Sequence, residues 1–389
     1  MKQGWEYKKL GEIGNIVTGS TPSTKDEMNY SPREYCFVKP SDLPSQGIAM
    51  IEETEYYVSS KGLSKSRVLP TGSVLVSCIG SIGKIGILTK EACSNQQINA
   101  IIPKNDINSK FIAYSIYAYR FLLESIANAP VVPIINKTDF SKIQIPIPPK
   151  STQLSIVSEL DKINELIRLK KEQLKDYDNL AQSIFYEMFR DPVGNEKGWE
   201  VKKLKDIVSE NCSISYGIVQ PGENVENGVP VVRPVDMNGT FIFRQGLKNT
   251  TKEISDSYKR TILKGNEILM CVRGTTGVIT MATSDLKDCN VTRGITPIEC
   301  GPACNRYFLY YQILSPNVQY YIKEHTRGIA LKQINMKDVR EIPLFLPPLS
   351  IQHLFAQRIE QIEHQKSAVQ QSITDLETLL ASRMQHWFE

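Results

Sequence analysis

The stretch "GWEYKKLGEI" at residues 4–13 returns as "GWEVKKLKDI" at residues 198–207, an offset of 194 positions. A repeat of this length is settled before any local propensity is weighed, because it decides how many times one fold is built. The echo continues along the chain. At the same offset Val38-Lys39-Pro40-Ser41-Asp42-Leu43 faces Val232-Arg233-Pro234-Val235-Asp236-Met237. At 193, Arg67, Gly72 and Cys78 face Arg260, Gly265 and Cys271; a one-residue insertion near Arg273 then sets "GSIGKIGI" from Gly80 against "GTTGVITM" from Gly274. The match weakens but survives at Cys93-Ser94-Asn95 and Cys289-Asn290. At 199, Ile135-Asn136-Lys137-Thr138-Asp139-Phe140 faces Ile334-Asn335-Met336-Lys337-Asp338-Val339, Pro148-Pro149 faces Pro347-Pro348, and Gln153 faces Gln352. Offsets drifting only from 193 to 199 predict one fold written twice with short loop insertions.

Each copy changes texture at its double proline. Before it, Gly, Pro, Val, Ile and Tyr are mixed, predicting short strands, turns and a few helices, one of them over 111–127. After it, residues 152–190 and 351–389 hold no Gly or Pro, and apolar residues fall at alternating steps of three and four. In the first stretch these are Ile156, Leu160, Ile163, Ile167, Lys170, Leu174, Tyr177, Ala181, Ile184 and Met188; in the second, Phe355, Ile359, Ile362, Lys366, Val369, Ile373, Leu376, Leu380, Arg383 and Trp387. A period of 3.5 over about five heptads predicts a coiled-coil seam, with two amphipathic helices packed on their own domains as the plainer alternative. Such helices are about 60 Å long, and paired side by side they would hold the mixed modules apart. Lys170 and Lys366 interrupt the seams and are expected to extend toward water rather than fix the register. The predicted boundaries are mixed modules at 1–150 and 191–348 and helices at 151–190 and 349–389, with the linker "DPVGNEKGWE" opening the second copy.

With 389 residues, 41% hydrophobic and 23% charged, the composition is that of a folded globular chain with room for two domains. No apolar run reaches the roughly 18 residues of a membrane span, and "MKQGWEYKKL" lacks a signal-peptide core, so a cytoplasmic protein without a membrane partner is expected. Eight cysteines without a C-x-x-C pair read as reduced, mostly buried thiols; a metal site at Cys300 and Cys304 is the sharper alternative. Catalytic signatures do not appear. Gly83-Lys84 is followed by Ile85 rather than Ser or Thr, and no G-x-G-x-x-G, H-E-x-x-H, G-x-S-x-G or Asn-Pro-Pro-aromatic stretch occurs. The reading is a chain that binds rather than reacts.

Net charge is only +4, but its distribution is uneven. Residues 1–150 carry 17 Lys and Arg against 13 Asp and Glu, and 191–348 carry 20 against 17, whereas the two helices carry 6 against 7 and 3 against 5. A mildly basic module, duplicated on an acidic spacer, suits two separated contacts with a polyanion. A repeated scaffold for protein partners fits the charge equally well.

Together these features resemble the specificity subunit of Type I restriction–modification systems. The resemblance rests on the "GWE" openings, the endings in double proline and Gln, and the heptad helices. It also rests on "SISYGIVQPGE" at 213–223, "RGTTG" with "NVTRGI" within 273–295, and "LVSCIGSIGKIGI" with "NQQINAII" within 75–102. It covers essentially the whole chain. The fold it implies is α+β: two target-recognition domains of mixed α/β structure, separated by two long antiparallel coiled-coil helices and related by a pseudo-two-fold internal repeat. The function it implies is recognition of a bipartite site in double-stranded DNA, one half per domain, with no enzymatic activity in this chain. The implied partners are two methyltransferase subunits and restriction subunits, which would bind S-adenosylmethionine, ATP and Mg²⁺; no cofactor is implied here. A non-DNA structural adaptor, or a diverged fused methyltransferase or nuclease, are the competing readings.

If the modules read different half-sites, specificity belongs where the copies differ. That selects Lys84, Asn95, Gln96 and Gln97 in the first module, and Arg273, Thr275, Asn290, Thr292 and Arg293 in the second. Arg suits guanine and Asn or Gln suits adenine through paired major-groove hydrogen bonds; capping turns internally is the competing role. Matched residues cannot distinguish half-sites. Lys39 with Arg233, and Arg67 with Arg260, are therefore assigned to phosphates, with ion pairs to Asp42 and Asp236 as the alternative for the first pair. Trp5 and Trp199 are expected to anchor module to helix rather than stack on a base.

Overall fold

The computed structural model describes residues 4–127, 132–190, 195–329 and 331–388. The first four residues of the predicted linker, 191–194, lie outside that description. Two compact units emerge, Met1–Lys171 with Gln371–Glu389, and Glu172–Gln370. Each takes one module, the adjoining half of one long helix and part of the other.

The opening repeat forms the first strand of each module, Glu6–Lys9 and Glu200–Lys203. Each strand pairs antiparallel with the strand that leads into the double proline, Gln144–Ile147 and Pro343–Leu346, in the same register: Glu6 faces Ile147 and Glu200 faces Leu346. The next residue, Leu10 or Leu204, is fully buried and donates its N–H to Ile143 or Ile342 at 2.9 Å. The repeated ten residues therefore tie the start of each module to its end.

Within the first unit a sheet runs in the order Gly14–Thr18, Ile98–Pro103, Val74–Ser77, Ile85–Leu88, Ile48–Ile51, beside a second sheet Tyr57–Val58, Tyr35–Val38, Ala92–Ser94. The second unit repeats the order as Ile295–Ile298, Ile268–Cys271, Ile279–Ala282, Phe241–Ile242 and as Lys248–Thr250, Val229–Val232, Asn290–Val291. Val74–Ser77 and Ile268–Cys271 are buried throughout, as strands covered on both faces must be. Hydrogen bonds correct the sequence alignment here. Ser77 and Cys271 each accept from the glycine six residues on, Gly83 and Gly277, so Ser77 matches Cys271 and Cys78 matches Val272. Leu69 and Leu263 occupy one position, donating to Ala92 and Cys289, which sets Arg67 against Thr261 rather than Arg260. The offset of 194 thus holds through this region without an insertion at Arg273; a one-residue slip would have turned every strand side chain to the wrong face.

The helix expected over 111–127 is two, Ser109–Ala118 and Arg120–Ile126, broken at Tyr119, whose hydroxyl donates to the Phe388 carbonyl. Its counterpart is also split, Arg306–Leu314 and Pro316–Glu324, where Ser315-Pro316 stops one helix and starts the next. The long helices, Lys150–Phe189 and Leu349–Phe388, are 40 residues each and begin directly after their prolines. Gln153 and Gln352, both fully buried, lock that junction. Each carboxamide oxygen accepts from the N–H of a helix-capping asparagine, Asn108 at 3.0 Å or Asn305 at 2.8 Å, and each amide nitrogen donates to Pro148 or Pro347.

Half of the predicted seam positions are buried and the rest half-buried. In the first unit Ile156 and Leu160 share a core with Leu380, Met384 and Trp387 of the other helix, with Glu159 bonded to Arg383 and Trp387, and Lys171 to Glu377 at 2.8 Å. The Arg383 hydrogen bond holds the Glu159 carboxyl below its usual range. In the second, Asp178 pairs with Lys366 and Phe185 packs on Phe355, again in antiparallel order. Lys366 departs from expectation: its side chain is only 15% exposed, because Asp178 at 2.7 Å, Glu363 at 2.9 Å and the Thr240 hydroxyl at 3.2 Å hold the ammonium inside. Beyond the seam, Phe185 and Phe189 in one helix and Met384 and Phe388 in the other are buried against the modules.

No helix among the described residues is long and apolar enough to cross a membrane. All eight cysteines are free thiols. Burial pushes Cys78 up to about 12, and Cys304 is driven far up by its hydrogen bond with Cys300 and by burial. No cluster of three or more His, Cys, Asp or Glu among the described residues is arranged to hold a metal ion.

Candidate nucleic-acid interface

Four segments converge at one edge of each module, held against the strand end at Val38 or Val232, and the same backbone hydrogen bonds join them both times. In the first unit Ser20 N–H donates to Ser94 at 2.9 Å, Asn95 to Val38 at 3.1 Å, Cys78 to Gln97 at 2.8 Å, Gly80 to Pro133 at 3.0 Å and Ile135 to Cys78 at 2.8 Å. In the second, Ile218 donates to Val291 at 2.8 Å, Thr292 to Val232 at 2.9 Å, Val272 to Gly294 at 2.7 Å, Gly274 to Lys332 at 2.8 Å and Ile334 to Val272 at 3.0 Å. Position by position, Asn95-Gln96-Gln97 is the turn Thr292-Arg293-Gly294. Ile79 stands where Arg273 does, bridging Ile134 as Arg273 bridges Gln333.

Four of the five residues selected in the second module therefore meet. Arg273, half-buried, and Thr275, exposed, lie on one loop, with the Thr275 hydroxyl 3.5 Å from the Cys271 thiol; Thr292 and Arg293, half-buried, lie on the facing turn. Neither Arg273 nor Arg293 has an ion-pair partner among the described residues. Asn290 is elsewhere: fully buried, it donates to the Ser255 hydroxyl at 3.0 Å and accepts from Thr261 at 2.7 Å and Val291 N–H at 2.9 Å, so all its polar atoms hold the fold.

In the first module Gln96 is exposed and accepts from the Thr21 hydroxyl at 2.6 Å, an arrangement that a base edge could exchange. Asn95 is buried and bonded to Gln97, its amide donating to the Gln97 side chain at 2.8 Å and its oxygen accepting the Gln97 N–H at 3.1 Å, so these two shape the turn. Lys84 is half-buried and donates to the Pro40 carbonyl at 3.2 Å.

Of the basic residues paired by sequence, Arg233 makes a two-pronged contact with Asp236, at 2.9 and 2.6 Å, which raises its pKa and commits it to the turn. Lys39 instead sits 3.0 Å over the Tyr56 ring, while Asp42 caps its N–H at 2.7 Å. Arg67 is exposed and donates to Thr18 at 2.6 Å, beside the first converging segment; Arg260 is exposed on the turn Lys259–Thr261, outside the four segments. Trp5, packed edge-on against Phe111 at 6.5 Å, and Trp199 both belong to their module cores, as anchors should.

Sequence reasoning missed four neighbours. Gln333 donates to the Tyr216 hydroxyl at 3.0 Å, joining the first and last segments; Arg327 and Lys332 are exposed on the hairpin Thr326–Arg327 with Gln333–Ile334. Tyr216 lay inside the "SISYGIVQPGE" stretch, and Gln333 directly precedes the matched Ile334, so both were within reach. None of the converging segments carries an acidic residue. Such an edge can offer hydrogen bonds and positive charge to a polyanion without first breaking internal ion pairs.

Known proteins align with the whole arrangement. A Type I restriction enzyme specificity subunit, MjaIX of Methanocaldococcus jannaschii, is 25% identical over 395 residues, spanning 92% of this chain and 86% of that one. The EcoBI specificity subunit of Escherichia coli is 21% identical over 74% of this chain and 66% of its own length. Among solved structures, a chain from the assembly and conformational transition of the type I R-M system superposes with a TM-score of 0.59 at 19% identity, covering 99% of this chain and 97% of that one. The S subunit of a Type-I restriction-modification system from M. genitalium does so at 0.55 and 13% identity, covering 99% and 96%. These likenesses show the fold. The family described as the Type I restriction modification DNA specificity domain matches twice, at residues 2–176 and 196–378, and with both modules and most of both helices inside those matches the chain belongs to that family as a DNA sequence-specificity subunit.

Proposed function

We propose that the two loop clusters each read one half of a bipartite site in duplex DNA, while the long helices set the unspecified gap and hold two methyltransferase subunits. One observation carries this reading: the same backbone hydrogen bonds build both clusters, but the side chains presented differ. One framework with two faces suits two unlike half-sites. Arg273 and Arg293 favour guanine in the second half-site, and Gln96 favours adenine in the first. Exposed leucines on the helices, including Leu154, Leu166, Leu169 and Leu354, add apolar surface of the kind a partner subunit covers. Restriction subunits complete the assembly, and S-adenosylmethionine, ATP and Mg²⁺ belong to the partners; this chain contributes recognition, not chemistry.

Co-expression with the cognate methyltransferase, followed by genome-wide mapping of methyladenine, is expected to return a two-part motif with a fixed gap. Methylation without a motif, or DNA affinity that does not fall steeply with salt, would rule the reading out. Arg273→Ala and Arg293→Ala are each expected to weaken cognate binding by about 1–3 kcal/mol and to relax the motif at a single base of the second half-site. Competition binding against single-base variants of the mapped site measures both effects; loss spread evenly over all sequences would instead mark these arginines as phosphate contacts.

A further inference from the structure

An apolar side chain stands at the same place on both clusters. Gly80 donates to Pro133 as Gly274 donates to Lys332, so the residues one step earlier, Val132 and Leu331, are equivalent; they are 48% and 47% exposed. In the second unit Leu331 belongs to the tip of the hairpin whose strands pair Thr326 with Ile334 and Arg327 with Gln333. Gly328 sharpens that tip, at φ +103 and with no room for a Cβ, which would lie 2.3 Å from the Leu331 carbonyl oxygen. Ile329 projects there fully exposed. Around the tip stand Arg327 and Lys332, and beside it Arg273 and Arg293, with no acidic residue on any converging segment. In the first unit Ile134, also exposed, accompanies Val132.

A greasy point built twice, and ringed by cations in the second unit, does not suit water. It suits duplex DNA, whose charged rim lies outside an apolar feature: the 5-methyl group of thymine in a major groove wide enough for a two-stranded ribbon. We infer that Leu331 and Val132 each contact a thymine methyl group in their own half-site, so that part of the specificity is apolar. This rests on the DNA-reading function proposed above. Methyladenine mapped in the two-part motif pairs with a thymine on the opposite strand, which supplies the methyl group such a contact needs.

The test uses the full chain assembled with its methyltransferase and duplexes carrying the mapped site, with each dT replaced in turn by dU, which removes only the methyl group. For the unmodified protein, loss of the contacted methyl is expected to weaken binding by about four-fold, the worth of one buried carbon group of about 0.8 kcal/mol. Leu331→Ala is expected to abolish that sensitivity in the second half-site alone, and Val132→Ala in the first alone, with unchanged melting temperatures because both side chains are exposed. Equal sensitivity to dU in protein and variants would overturn the inference. So would a uniform loss over all duplexes, which would mark a wedge between base steps, or unchanged DNA binding with weaker retention of the methyltransferase, which would make the tips protein contacts. Failure of the unmodified complex to prefer the mapped site over a scrambled duplex would instead sink the DNA-reading function itself.

Discussion

Replacing Phe189 with alanine is expected to destabilise the second unit by about 3–5 kcal/mol, the usual loss for a buried phenylalanine. Phe189 is 1% exposed at the end of the first long helix, and its ring lies 4.9 Å from that of Phe308, 5.4 Å from Phe355 and 6.2 Å from Phe345. Those three rings come from a module helix, the other long helix and the strand before the double proline, so one side chain joins both long helices to two elements of the module. Aromatic pairs at such spacings add stabilisation beyond area alone. Among the described residues the matched Phe388 of the first unit meets a single ring at such a distance, Phe111 at 5.7 Å, in a core that also holds Met384. Phe388→Ala is therefore expected to cost less. Denaturant unfolding with amide exchange resolved by segment measures both. Phe189→Ala should raise exchange most in the strands at 200–203 and 343–346, and an unchanged midpoint with unchanged exchange there would contradict the account.

What could be read in advance follows from how information lies in the chain. The duplication and the long helices were legible because each is a pattern of spacing, and Gly, Pro and heptads announce spacing directly. The matched Gln153 and Gln352 were visible as a repeat, but their role depends on a partner N–H about 45 residues away, which no local pattern encodes. Register was legible only to within one residue. Cys78 against Cys271 is the better match by identity, yet hydrogen bonding puts Ser77 there, because a strand is held by its backbone rather than by its side chains. Among the candidate base readers the difference is burial. Arg273 and Arg293 lie half-buried at the edge without an ion-pair partner among the described residues, whereas Asn290 and Asn95 are the residue types that most readily bond their own backbone, and they do so. Lys366 failed for a related reason: a lone lysine in a seam reads as a misfit until Glu363 and Asp178 are seen to receive it.

Adding four residues to both long helices, after Lys171 and after Gln370, is expected to lengthen the unspecified gap of the methylated motif by one or two base pairs while leaving both half-sites unchanged. The boundary between the compact units falls at these two positions, so each unit keeps its own share of both helices. Four residues advance a helix by about 6 Å, somewhat under two base-pair steps of about 3.4 Å each. They also insert a stutter, which locally unwinds a heptad seam without breaking it, so the apolar stripes of Ile156 to Ile167 and of Phe355 to Ile362 keep their partners. Both helices must grow together, because within each unit they pair in antiparallel register and a single insertion would shift Glu159 away from Arg383 or Asp178 away from Lys366. The half-sites should hold because every base reader proposed lies on a module loop, far along the chain from the inserted residues. Genome-wide methyladenine mapping of the doubly extended protein reads the outcome directly. An unchanged gap would mean that something other than these helices fixes the spacing, and a changed half-site would mean that recognition is not confined to the loop clusters.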